Sequence, residues 1–135
     1  MKRFVLVFAL LFFAQSFVFS QYSLIVNTYS QNFDGLGTTT SSGVTGGSLN
    51  NVNPSLNGWY FNETGSNLNT DITAGTGSSN TGDTYNFGAA IAPANANRKL
   101  GGLRSGSLNP TVGFYFTNNT SITITDLAIS YTGET

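Results

Sequence analysis

Residues 111–131, TVGFYFTNNTSITITDLAISY, carry the reading that decides the fold. Val112, Phe114 and Phe116 alternate with small or polar neighbours, and beyond Asn118-Asn119 so do Ile122 and Ile124. Alternation at a period of two predicts half-buried strands, and paired Asn residues between them predict a hairpin. Register sets the loop. A two-residue turn would place Phe116 opposite Ser121, aromatic face against polar face, whereas an odd loop of three or five residues sets Phe116 opposite Ile122 and Phe114 opposite Ile124. After Ile124 the apolar phase moves to odd numbers, at Leu127, Ile129 and Tyr131. One strand does that only by taking in an extra residue, so a bulge is expected near Thr125-Asp126.

Working outward, short β-rich runs recur between turn signals. Tyr22–Tyr29 reads as an opening strand, ended by the Asp-Gly signal in Asn32-Phe33-Asp34-Gly35-Leu36-Gly37. Residues 38–57 read as a long loop, with one short edge strand at most and only Val44, Leu49, Val52, Pro54 and Leu56 to bury. Such a length without structure is unusual in a compact domain. Gly58-Trp59-Tyr60-Phe61 follows, its tryptophan expected to anchor the core. Leu68 and Ile72 mark a strand over 67–73, Ala74–Asp83 is loop, and Thr84–Phe87 alternates as a strand. Pro93 splits Ala89–Ala96 and predicts a turn or a short 3₁₀ piece there. Arg98–Ser105 reads as a strand whose glycine pair calls for a bulge or a close backbone approach, and Asn109-Pro110 restarts the chain. The expected fold is all-β: an antiparallel β-sandwich, jelly-roll-like. The 121–132 strand lacks a successor to cover it, so the sandwich is expected to be incomplete at its C-terminus, as in a piece of a longer protein.

Composition divides the chain in two. Residues 1–20 contain 15 of its 53 apolar residues, so the overall apolar share of 39% falls to about a third in residues 21–135. Asn, Ser, Thr and Gly together make up nearly half of the chain, and charged residues only 8%. That excludes helical bundles and coiled coils, which need Ala, Glu, Lys, Leu and Arg at helical spacing. Met1-Lys2-Arg3 followed by the apolar run Phe4–Ala14 has the form of a signal peptide and is too short for a membrane span. Residues 1–20 are therefore expected to be a signal peptide, cut between Ser20 and Gln21, with Ala14-Gln15-Ser16 as the second choice. Residues 21–135 then form the β-module, with no membrane span, secreted or held at the cell surface. No cysteine follows the leader to carry a lipid, and no disulfide can brace the sheet.

Chemistry-bearing residues are few. Without His or Cys, nucleophilic triads lack a base and zinc, copper, haem and iron–sulfur sites lose their usual ligands. A glycosidase-like carboxylate pair could be drawn from Asp34, Glu63, Asp71, Asp83, Asp126 and Glu134, although turn and solubility roles are the commoner use of such residues. No cofactor is expected. Calcium is the one ion left open, at Asn67-x-Asn69-x-Asp71, which has alternating oxygen donors but neither the glycine nor the distal glutamate of an EF-hand loop. Beyond residue 20 the cations are Arg98, Lys99 and Arg104 against six carboxylates. Nucleic acid is thereby excluded as a partner, and the favoured reading of these cations is the solvated, positive flank of an edge strand rather than an anion patch. Trp59, Tyr60 and Tyr85 are candidates for a sugar-stacking platform, with core burial as the competing reading.

Asn32–Gly37, Gly58-Trp59, Glu63-Thr64-Gly65, Gly75–Gly82 with Asp83-Thr84-Tyr85, Leu100–Gly106 and Ile129–Glu134 together resemble an N-terminal β-sandwich module of large secreted or surface proteins of bacteria. The resemblance implies export, a β-sandwich, and a longer parent in which the Tyr-x-Gly-Glu strand continues; it implies no catalytic residue. The function expected is that of a noncatalytic structural or adhesion-type module whose partners are downstream domains of the same protein or surface glycans. A carbohydrate-binding module and the N-terminal fragment of a secreted hydrolase are the alternatives.

Overall fold

A computed structural model describes residues 20–78, 80–88 and 97–133. The protein is all-β: seven strands, four short 3₁₀ turns and no longer helix among the described residues. In chain order the strands are β1 (Tyr22–Leu24), β2 (Trp59–Gly65), β3 (Thr73–Gly75), β4 (Asp83–Phe87), β5 (Lys99–Leu103), β6 (Leu108–Phe114) and β7 (Phe116–Asn118). They form three small sheets, β1-β7, β2-β6 and β3-β4-β5. The expectation of antiparallel pairing holds for β2-β6 and β4-β5, while β1-β7 and β3-β4 are parallel.

The hairpin expected across Asn118-Asn119 is not formed. β6 pairs instead with β2, Phe114 opposite Trp59 and Val112 opposite Phe61, and the chain changes partner at Tyr115. There the amide donates to the Gly58 carbonyl at 2.8 Å while the carbonyl accepts from Tyr22 at 3.0 Å. Phe116–Asn118 thus serves a second sheet, parallel to β1. Alternation states that a strand has two faces; it does not say which strand lies beside it. Asn118 closes its own turn, accepting from the Thr120 amide at 3.1 Å and donating to the Ile122 carbonyl at 2.7 Å. Residues 123–133 then run on outside any strand, so neither a three- or five-residue loop nor a bulge at Thr125-Asp126 exists. The opening strand likewise stops at Leu24, because β7 ends at Asn118 and leaves Ile25 and Val26 nothing to pair with.

Residues 38–57, read as a loop, hold much of the core. Val44, Leu49 and Leu56 are buried with Leu36, Phe61 and Ile72, and Phe33, Val52, Trp59 and Leu100 pack against them. Three consecutive 3₁₀ turns, Thr45–Gly47, Leu49–Asn51 and Pro54–Leu56, aim these sparse leucines inward while satisfying their own amides through i→i+3 bonds. Asn53 caps the last turn by accepting from the Ser55 amide at 2.9 Å, ahead of Pro54 at the first position. Its isolated ladder bridges are Ser41–Ile72 and Ser48–Tyr60. The strand expected over 67–73 shrinks to that bridge at Ile72 plus β3, since Leu68 is exposed and anchors nothing.

β4 and β5 match the sequence reading. The glycine pair in β5 produces the expected close approach and no bulge, for the register from Asp83–Leu103 to Phe87–Lys99 is unbroken. A Cβ on Gly101 would fall 2.8 Å from the Phe87 ring, and one on Gly102 would strike Pro110 of β6. Pro110 is tolerated because β6 has β2 as its one hydrogen-bonded neighbour. The turn expected over 89–96 lies outside the described residues.

Candidate functional site

A shallow concavity lies on β2-β6. Register sets Gly113 opposite Tyr60 and Thr111 opposite Asn62, and alternation puts these four on one face. The groove has a volume of about 170 Å³ and is closed at one end by Tyr115. Tyr60 is buried; Tyr115 is 54% exposed and meets it edge-on, ring centroids 5.2 Å apart at 89°. Nothing lies within 4 Å of where a Gly113 Cβ would stand, so the floor is open to a flat group. The Thr111 hydroxyl donates to the Asn62 carbonyl at 3.1 Å and keeps its lone pairs to accept. Aromatic wall, glycine floor and polar rim suit a ring with an apolar face and hydroxyl edges. The tyrosines are the lining's only ionisable side chains.

The aromatics singled out in the sequence do not gather here. Trp59 and Tyr60 are neighbours on one strand and face opposite ways, and Tyr85 is buried in another sheet, stacked on Phe87. Trp59 belongs to a row of rings. Its edge contact with Phe33 is at 4.7 Å, its contact with Phe114 is at 5.1 Å, and Tyr29 stacks on Phe114 at 4.5 Å while accepting from the indole N–H at 2.8 Å. The tryptophan therefore braces the packing, as expected of a core anchor. Tyr115 was missed because it sits out of phase in the Val112–Phe116 alternation, the very place where the chain changes sheets.

The carboxylates are tied to backbone donors. Glu63 is buried; its Oε1 accepts from the Thr84 amide at 2.8 Å and hydroxyl at 2.7 Å, and its Oε2 from the Asn69 amide at 3.0 Å. Asp83 accepts from that same Thr84 amide at 2.8 Å and from the Thr73 hydroxyl at 2.6 Å. The fold thus brings Glu63 and Asp83 around one N–H, which sequence separation could not reveal; Glu63 clamps β2 to β4, and Asp83 ties β4 to β3 through Thr73. Asp71 receives the Gly43 amide and the Ser42 hydroxyl, and Asp126 the hydroxyl of Thr125. Glu134 lies outside the described residues. In the calcium candidate, Asn69 Oδ1 accepts from the Asp71 amide at 2.6 Å and the Asp71 carboxylate turns to residues 42–43. These oxygens serve as turn acceptors and do not converge on a point. Among the described residues no three of His, Cys, Asp and Glu are grouped to hold a metal.

Arg98 corrects the sequence reading. It is 1% exposed, not part of a solvated flank. Its Nε donates to Asn86 Oδ1 at 2.8 Å and its Nη2 to the Asn86 carbonyl at 3.1 Å, while its amide donates to Asp34 at 2.9 Å. Asn86 in turn donates to the carbonyls of Leu36 and Gly37. The Asp-Gly turn is in this way fastened to β4. Lys99 is half-buried on β5, an edge strand of its sheet, and Arg104 is exposed.

Ser20 and Gln21, the expected cleavage pair, lead directly into β1. The Ser20 carbonyl accepts from the Tyr60 hydroxyl at 2.9 Å, and the Gln21 carbonyl from Asn57 at 3.3 Å. The signal peptide expected over residues 1–20 otherwise lies outside the described residues, among which no helix is long and apolar enough to cross a membrane. No family model, curated protein or solved structure was found to match this chain.

Proposed function

We propose that this chain is a noncatalytic, exported module of structural or adhesion type, the leading part of a larger secreted or surface protein of bacteria, its sheets belonging to a β-sandwich of jelly-roll-like connectivity. The observation that carries the reading is the use made of the carboxylates. Glu63 and Asp83, two of the six candidate carboxylates, are both turned onto the Thr84 amide, and Glu63 has no oxygen without a donor. Such acceptors hold a scaffold together. Glu63→Gln and Asp83→Asn variants are expected to lose stability in denaturant titrations. Hydrolysis of a panel of soluble glycans by the parent chain, abolished in those variants, would overturn the noncatalytic reading.

Export is tested by the mass of the chain recovered outside a bacterial host that expresses all 135 residues. A cut between Ser20 and Gln21 starts the product at Gln21 and separates the Tyr60 hydroxyl from its acceptor, whereas a cut after Ser16 retains that bond. Recovery of the uncut chain in the cytosol alone would remove the export reading. A second reading, carbohydrate binding, is favoured by the β2-β6 groove, whose exposed Tyr115 and open Gly113 suit the stacking of a pyranose ring. Affinity electrophoresis in soluble glycans distinguishes it: retardation lost on Tyr115→Ala supports a sugar site, and unchanged migration in every glycan leaves the structural module.

A further inference from the structure

Gln21 is exposed just ahead of β1, and only its oxygens are held. The backbone carbonyl accepts from Asn57 Nδ2 at 3.3 Å, and the side-chain Oε1 accepts from the Thr117 hydroxyl of β7 at 2.5 Å. Neither its backbone N–H nor its Nε2 donates to any described residue. One position later the Tyr22 amide donates to the Tyr115 carbonyl at 3.0 Å, so the chain is fixed from β1 onward. Both nitrogens of this residue are open to reaction, while a neighbouring strand grips its side-chain oxygen.

Cleavage between Ser20 and Gln21 would turn that backbone nitrogen into the α-amine of an N-terminal glutamine. An α-amine and the Cδ of the same glutamine close a five-membered ring, and holding both reactants in one residue removes most of the entropic cost. In the unprotonated amine the nitrogen lone pair attacks Cδ, the N–Cδ bond forms, and the carbonyl π pair moves onto Oε1. That charge develops where the Thr117 hydroxyl already donates. The pair then returns, the Cδ–Nε2 bond breaks, and Nε2 leaves as ammonia with the proton that the amine gives up. No oxidant or second substrate enters. The product is a lactam, a pyroglutamyl residue, whose oxygen is the former Oε1 and remains an acceptor for Thr117.

We propose that Gln21 is a modification site: after removal of residues 1–20 it cyclises to pyroglutamate, with the Thr117 hydroxyl assisting at its side-chain carbonyl. The proposal rests on the cut between Ser20 and Gln21 in the export reading. The closed ring carries no ammonium charge, so the first strand starts from a neutral, blocked end beside Asn57 and Thr117.

Export of the full 135-residue chain from a bacterial host, followed by incubation of the purified product at neutral pH, tests this by intact mass and N-terminal sequencing. The expected product is the 21–135 chain lighter by one ammonia, refractory to sequential degradation until pyroglutamyl peptidase removes its first residue. That enzyme places the loss at residue 21 rather than at Asn57-Gly58 or another amide. A product that stays at the full mass of 21–135 and sequences from Gln21 overturns the proposal and leaves the export reading standing. A product that begins elsewhere, or an uncut chain, overturns both the proposal and the cut on which it rests. Thr117→Val is expected to slow ring closure about fivefold, the worth of one ordinary hydrogen bond, and Thr117→Ser to restore the parent's rate. Equal rates in all three would overturn the part given to Thr117. Thr117 is exposed, so near-UV circular dichroism of both variants is expected to match the parent.

Discussion

Single residues in this protein act as fasteners between segments distant in sequence. Glu63 is the clearest: Glu63→Ala would leave the buried Thr84 amide without one of its two acceptors and the Thr84 hydroxyl without its carboxylate partner. The cost is expected to be about 1–3 kcal/mol, read as a lower urea midpoint, with Glu63→Gln losing less because an acceptor oxygen remains. Glycines divide in the same way. Gly102→Ala drives a methyl into Pro110 and is expected to destabilise, whereas Gly113→Ala meets open space at an ordinary φ. It is expected to be neutral or to stabilise by up to about 1 kcal/mol through a less flexible unfolded chain. Paired urea titrations check both. The close approach at Gly102 was legible because adjacent glycines inside a strand have few other uses; Arg98 was not. A cation beside Lys99 reads as surface until the fold supplies the Asn86 amide and carbonyl that make its burial affordable.

At the scale of elements, alternation located the strands over Thr84–Phe87 and Val112–Phe116 but not over 121–132, where no strand forms, and it did not give their partners. Thr84–Phe87 and Arg98–Ser105 are strands as read, and the structure pairs them, while Val112–Phe116 left its expected neighbour for two others. Local pattern sets the face of a strand; pairing depends on which other edge the rest of the chain brings near. The 38–57 segment shows the opposite failure: its few leucines lack any period, yet 3₁₀ turns deliver them to the core. Leu49→Ala and Leu56→Ala, both at fully buried positions, are each expected to cost about 2–5 kcal/mol, enough to unfold a domain of modest stability. By contrast, a chain ending at Thr120 loses a segment whose described backbone bonds only at Ile122, to the side chains of Asn118 and Thr120. Its unfolding free energy from urea titration is expected to stay within about 0.5 kcal/mol of the parent's.

Over the whole molecule, the apolar content is spread thinly. Among the described residues ten apolar side chains form the buried set, and eight large ones are more than half exposed. With no disulfide to offset a small core, the 21–135 product is expected to melt at low temperature or to aggregate through its open strand. Differential scanning calorimetry with a rescan checks this, and a sharp, reversible two-state melt of a monomer would contradict it.

Composition and spacing alone determined that this chain is built of strands and turns, that it starts with a charged and apolar leader-like segment, and that it lacks the residues for nucleophilic triads and soft-metal sites. Those properties follow from residue type and from alternation over a few positions, which are local. Tertiary structure alone decided that a Thr- and Gly-rich segment builds the core, that Glu63 and Asp83 share one amide, that Arg98 is buried, and that Tyr115 turns the chain from one sheet to the next. Each of these joins residues far apart in the chain, and the free energy that holds them depends on which surfaces exclude water together, a property no short stretch of sequence contains.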